Sequence, residues 1–216
     1  MSKRTPFLQQ TLLAAAMCAS TFAASAATYT INFDKLTDGA LASADAIAQA
    51  HGVTFASGQL TDIVDPVTFD VIGQHWLADP AYSIYASSPS SIGWGAAPSG
   101  QIAIDGRYDQ VLMQFAAPVQ LTHFSVAMDN SSFGFPANVD LLFLDANGQI
   151  VRSDSFQQNI TSSFDANFLA PTTVSAVLLP SGKFYDNIGV TAVPVPAAWA
   201  LLSSGLMLFG FARRSV

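Results

Sequence analysis

The chain has 216 residues, half of them hydrophobic, only 11% charged, and a formal net charge of −7. All fifteen acidic residues are Asp, from Asp34 to Asp186, and there is no Glu. Four of the eight basic residues lie at the two ends, so the stretch between keeps Lys35, Arg107, Arg152 and Lys183 against fifteen Asp, a formal −11. That balance excludes the basic footprint of a nucleic-acid binder.

The first 26 residues read as a secretory signal peptide. Lys3 and Arg4 form a basic start, Leu12 to Phe22 is apolar and rich in small residues, and Ala24-Ser25-Ala26 offers a cleavage site before Ala27. The expected partners are the Sec translocon and signal peptidase. Cys18 is the one cysteine, and Met17 before it spoils a lipoprotein reading. Without Cys18 the exported part has no thiol chemistry, disulfide or thiolate metal site.

Residues 27–192 suit one domain with a sizeable core. Tyr29–Phe33 alternates and predicts a first strand. Ala40–His51 is Ala-rich and stops at Gly52, which predicts a short helix closed by His51 and Gly52. Val53–Phe55, Val67–Ile72, Gln101–Ile104, Gln110–Phe115 and Leu121–Met128 predict strands. Between them, Ala78–Gly100 carries Pro80, Pro89 and Pro98 and reads as loop. Val139–Leu144 and Gln149–Phe156 flank Asp145-Ala-Asn-Gly148, a hairpin turn with positive φ expected at Asn147 and Gly148. Val174–Leu179 and Ile188–Val193 complete the set. An acidic complement made only of Asp fits strands joined by Asp-bearing turns, because Asp prefers turns and Glu favours helices. The fold expected is all-β, an antiparallel sandwich or jelly roll.

The tail, 193–216, is a separate unit. Pro194 and Pro196 block helix continuation from upstream. Ala197–Ala212 is uncharged and apolar, and as a helix would span roughly 24 Å at 1.5 Å per residue, close to a bilayer core. Arg213 and Arg214 follow, a basic end that marks the cytoplasmic side.

The order Val193-Pro194-Val195-Pro196, Ser204-Gly205-Leu206, Arg213-Arg214 resembles the PEP-CTERM sorting signal of exported Gram-negative proteins, with Val195 where the name-giving Glu stands. The resemblance covers only the tail. It implies tethering to the inner membrane by a transmembrane helix at 197–212, processing by an exosortase, and a final place at the cell surface or in an exopolysaccharide or biofilm matrix. A plain C-terminal anchor helix is the alternative.

No hydrolase signature is present: no Gly-x-Ser-x-Gly elbow and no His-Glu-x-x-His. His51, His75 and His123 are scattered, and His123 lies within an alternating strand. The domain therefore reads as non-catalytic. Loop aromatics offer a ligand face instead: Trp76, Tyr85 and Trp94, with Tyr82, Phe133 and Phe135 nearby. Gly93 and Gly95 flank Trp94 and would let the backbone push the indole outward. Such faces can stack on sugar rings of a polysaccharide, or simply roof the core. The segment Phe184–Thr191 resembles the closing strand of jelly-roll carbohydrate-binding modules. In those modules an Asp-Asn or Asp-Asp pair on this strand helps bind a structural calcium near the first strand; Asp186 matches that slot, which implies Asp186 with Asp34 on the first strand as ligands. The competing readings are a secreted polysaccharide-active enzyme and a structural surface protein without a ligand.

Overall fold

The computed structural model describes residues 27–34, 42–79, 85–90, 96–129 and 137–194. The chain divides into one compact unit at Ala27–Val193 and a second made of Met1–Ala26 with Pro194–Val216. The residues of the second, apart from Pro194, lie outside the described set. So do the expected signal peptide and the Ala197–Ala212 helix. Among the described residues no helix is long and apolar enough to cross a membrane.

The described unit is almost entirely antiparallel β-sheet arranged as a sandwich. Its strands are β1 (Ala27–Ile31), β2 (Ala42–Ser43), β3 (Val53–Val64), β4 (Val71–Ala78), β5 (Tyr85–Ser87), β6 (Ala103–Gly106), β7 (Gln110–Met128), β8 (Asn138–Leu144), β9 (Ile150–Gln157), β10 (Ser163–Leu179) and β11 (Lys183–Pro194). They run in the order β2-β5-β6-β11-β7-β10-β8-β9, with β1 on β11, and with β3 on β7 and β4 on β3. A short helix α1 (Ala44–Ala48) and a 3-10 turn, Gln49–His51, precede β3. Gly52 ends the turn at φ 65°, its N–H bonded to the Gln49 carbonyl, as its left-handed freedom permits. His51 stacks flat on Tyr29 with ring centres 4.6 Å apart.

Two long strands make the fold. The first half of β7 pairs with β3 and with the end of β10; its second half pairs with the start of β10. Register breaks between Asn167 and Thr172 and between Val174 and Ala176 mark the bend. Pro118 in β7 and Pro171 in β10 sit there, where a missing N–H is tolerated. Alternation then sorts side chains between two clusters. Ile31, Phe33, Phe55, Met113, Phe124, Phe143, Val177 and Tyr185 belong to the main core. Leu112, Leu142, Leu144, Ala176 and Leu178 form a second cluster, with Leu60 and Trp76 packed on it.

Several expected boundaries move. Gln110–Phe115 and Leu121–Met128 are parts of one strand, β7. Val53–Phe55 extends to Val64, and the Ala78–Gly100 loop contains β5. The expected strand Val67–Ile72 is instead a turn leading into β4. The Asp65 carboxylate accepts the N–H groups of Val67 (2.7 Å) and Thr68 (3.1 Å), and Phe69 takes φ 62°. An Asp before proline outweighs β-branched propensity by satisfying turn N–H groups locally. The β8–β9 hairpin forms on Asp145–Gly148, with Gly148 at φ 76°. Asn147 keeps a negative φ, contrary to expectation: its N–H and that of Gln149 donate to the Asp145 carboxylate, so one glycine suffices.

Candidate functional site

Asp34 and Asp186 come together at the junction of β1 and β11. Asp34 follows the first strand; Asp186 lies within β11 and is fully buried. The Phe33 and Asn187 N–H groups donate to Asp186 Oδ1 at 3.2 and 2.7 Å. Ser99 Oγ lies 2.5 Å from Asp186 Oδ2 and 3.2 Å from Asp34 Oδ2, so one hydroxyl bridges both carboxylates. Asn187 Nδ2 donates to Ser99 Oγ at 2.7 Å. Asn32 Nδ2 donates to Asp34 Oδ2 at 2.9 Å and to Asn187 Oδ1 at 2.5 Å.

Two backbone features allow this crowding. Asn187 sits at φ 48°, a conformation Asn tolerates better than most residues. Gly100 sits at φ 51°, where an added Cβ would fall 1.9 Å from Asp34 Oδ1. Only glycine lets the chain pass this close to the carboxylate.

The electrostatics are unbalanced. Burial pushes the Asp186 carboxyl above its ordinary value, the bonds from Ser99, Asn187 and Phe33 pull it down, and the Asp34 charge adds to the rise. Among the described residues, Asp186 accepts bonds from a hydroxyl and two backbone N–H groups, none cationic. Calcium takes six to eight hard oxygens. The carboxylates of Asp34 and Asp186, the amide oxygens of Asn32 and Asn187 and the Ser99 hydroxyl are of that kind. Among the described residues no three His, Cys, Asp or Glu side chains converge on one point. A calcium here would thus take two carboxylates and draw its remaining oxygens from neutral groups.

The expected aromatic face is only partly in view. Trp76, on β4, pairs with Leu60 and is half-buried against the second cluster. Its ring lies so close over Gly58 that a Cβ there would meet the ring carbon Cζ2 at 2.7 Å. Tyr85 lies in β5, and its side chain is outside the described residues, as are Trp94, Tyr82, Phe133 and Phe135.

A second concave feature was not foreseen. A hollow of about 290 Å³ is lined by Gln59, Leu60, Tyr108, Gln110 and Ser181. It opens where β3 leaves β7, at the Gly58–Gln110 pair, beside the β6–β7 and β10–β11 turns. The Leu60 N–H donates to Gln110 Oε1 at 2.7 Å, and Ser57 and Gln59 contact the Asp109 carboxylate at 2.9 and 3.4 Å. Tyr108 is 59% exposed. Arg107 is held by a two-pronged bond to Asp105 (2.9 and 2.6 Å), and its guanidinium carbon lies 5.1 Å from the Tyr108 ring centre and 5.3 Å from that of Phe184. Tyr108 is therefore a fixed aromatic beside amides and a carboxylate. A lone Tyr in a turn between strands gave the sequence no signal for it.

The expected strand histidine has a partner: His123 Nε2 lies 2.9 Å from Asp165 Oδ2 across the β7–β10 ladder.

No family model matches the chain, and no curated protein matches it. Among solved structures it is similar to a mutant family 29 carbohydrate-binding module studied for ligand recognition. That similarity has 9% identity and a TM-score of 0.33, over 77% of this chain and 92% of that one. It is also similar to the enzymatically active domain of tailspike protein 4 of bacteriophage CBA120, with 10% identity and a TM-score of 0.25, over 76% of this chain. The chain spans about a fifth of that protein's length, 21%. Likenesses at these scores carry no argument about what this chain binds.

Proposed function

We propose that this chain is an exported, non-catalytic β-sandwich of the cell surface or extracellular matrix that associates with a neutral polysaccharide. The observation that carries this reading is the hollow beside Tyr108. It sets one exposed aromatic ring against the amides of Gln59 and Gln110 and the hydroxyl of Ser181. An aromatic face stacks on a sugar ring, and amides bond its hydroxyls. Among the described residues no cationic side chain lines the hollow, and a domain at −11 repels acidic glycans, which points to an uncharged one.

The non-catalytic reading is supported by the carboxylates at hand. Asp105 is engaged by Arg107, and Asp109 by Ser57 and Gln59, whereas glycoside hydrolysis calls for two carboxyl groups facing each other across the bond. Export, tethering by 197–212 and exosortase processing rest on the order of signals in the sequence. We further propose that Asp34 and Asp186 hold a structural calcium, supported by the buried Asp186 carboxylate, whose hydrogen-bond partners among the described residues are a hydroxyl and two backbone N–H groups.

Affinity electrophoresis through gels containing neutral polysaccharides tests the reading. The protein should be retarded, and Tyr108→Ala should lose most of the retardation with an unchanged melting temperature. Equal migration of both forms in every glycan overturns the binding site; release of reducing ends from the glycan overturns the non-catalytic reading.

A further inference from the structure

The hollow beside Tyr108 fixes the orientation of two amides. Beyond the Gly58–Gln110 pair β3 parts from β7, and two side chains cross the gap in opposite directions. Gln110 reaches from β7 to the Leu60 N–H at 2.7 Å. An N–H group needs an acceptor, so this amide presents Oε1 there and keeps Nε2 as a donor. Gln59 reaches from β3 to Asp109 in the β6–β7 turn, with Nε2 3.4 Å from the carboxylate. An ionised carboxylate only accepts, so Gln59 keeps Oε1 as an acceptor. Among the described residues neither remaining atom has another partner. The lining has one apolar side chain among them, Leu60, and one ring, Tyr108.

We propose that the hollow takes an acetamido sugar, with its N-acetyl group between the two glutamines and its ring on Tyr108. This rests on the reading of the hollow as a neutral-glycan site and names the sugar. The order of groups across the hollow follows the order of atoms in the ligand. The methyl packs on Leu60, and the carbonyl accepts from Gln110 Nε2 beside Leu60. The ligand N–H donates to Gln59 Oε1 beside Asp109. The ring carbon bonded to that nitrogen brings the sugar over Tyr108, next to Asp109 in the chain. Ser181 adds a hydroxyl that donates or accepts as the ring requires.

Other substituents answer less of this set. A hydroxyl at the same carbon can meet an amide but brings nothing apolar to Leu60. An ester acetyl has the methyl and the carbonyl but no N–H for Gln59. A free amine is cationic and turns only donors toward Gln110 Nε2. A carboxylate would meet Asp109 and a domain at −11. One buried methyl and two completed hydrogen bonds are together worth about tenfold in affinity.

Two soluble polymers with the same β-1,4 backbone isolate the group: glycol chitin, which carries the acetamido substituent, and hydroxyethyl cellulose, which carries oxygen in its place. In affinity electrophoresis the full-length protein should bind the first about tenfold more tightly. N-acetylglucosamine in the gel should release it, and glucose should not. Gln110→Glu keeps an acceptor for the Leu60 N–H and replaces the donor with a second acceptor. It should bind both polymers equally and weakly, with an unchanged melting temperature. Equal binding of both polymers by wild type, lost in Tyr108→Ala, overturns the acetamido site and leaves the neutral-glycan reading standing. Binding of neither polymer, or binding that Tyr108→Ala leaves intact, overturns both. Undiminished binding of glycol chitin by folded Gln110→Glu overturns the placement of the acetyl group. Release by N-acetylglycine amide as effective as by N-acetylglucosamine overturns the sugar in favour of a peptide group.

Discussion

The Ser99 hydroxyl lies 2.5 Å from the Asp186 carboxylate, and it is the point where a loop 87 positions earlier in the chain reaches the last strand. This bond only partly offsets the burial of Asp186, whose carboxyl remains above its ordinary value. A carboxyl with a raised folded value stabilises most below its unfolded value of 3.8, and that contribution is lost as pH rises through the folded value. At neutral pH the ionised Asp186 therefore costs stability. Asp186→Asn keeps an oxygen for the Phe33 and Asn187 N–H groups and removes the charge. In chelator it should melt higher than wild type at neutral pH, with the advantage vanishing as pH falls toward 3.8. Melting curves across that range check the sign.

Calcium should reverse the order of the two proteins. An ion bound only by the folded state raises the melting temperature with its concentration. Wild type should gain and Asp186→Asn should not, and Asp34→Asn should gain less than wild type. Identical wild-type curves in calcium and in chelator would refute a calcium site.

Tyr185 is wholly buried, and its hydroxyl donates to the Pro180 carbonyl across the β10–β11 turn. Tyr185→Phe keeps the ring and leaves that carbonyl without its partner. The expected cost is about 1–3 kcal/mol, read by urea unfolding with an unchanged slope. Tyr185→Leu should cost more, because it also removes ring volume from the core.

The tail predictions turn on membrane fractionation. Ending the chain after Pro194 keeps β11 whole and removes the apolar run. The shortened protein should move to the soluble exported fraction, while the full chain stays with the membrane in a host lacking its exosortase. Arg213→Ala with Arg214→Ala should weaken that retention. Identical fractionation of the full and shortened chains would show that 195–216 is no membrane signal.

What the sequence made legible was local. Alternation over Leu121–Met128, the Gly52 stop and the Asp145–Gly148 turn each depend on neighbours within a few residues, and each appears in the fold. The β3–β4 turn was misread because Val67, Phe69, Val71 and Ile72 resemble strand residues. Their exposure and the Asp65 carboxylate show a turn and an edge instead. The first half of β10 was not seen because its ladder on β7 carries polar residues such as Asp165 and Asn167. Asp34 and Asp186 could be paired through a resemblance to known modules. Asn187 completes the Asp-Asn pair of that resemblance, whereas Asn32, Ser99 and Gly100 could not be placed, since nothing local marks residues that meet across most of the chain. Tyr108 was overlooked for the same reason: its hollow is assembled from three separate turns and strand ends.

β1 and β11 are partners, with Ala27 opposite Ala192. The polypeptide thus enters and leaves the sandwich at adjacent points of one ladder. Such a unit can be spliced whole into a surface loop of another protein, like a bead on a short stalk, with little strain on either host or guest. It can also be circularly permuted. Joining Ala192 to Ala27 through a brief glycine-serine bridge and opening the chain at Asn147 should preserve the β-sheet circular dichroism spectrum and cooperative melting. In that form β8 and β9 would become the ends, and the Asp34–Ser99–Asp186 cluster would lie in the middle of the molecule's covalent order.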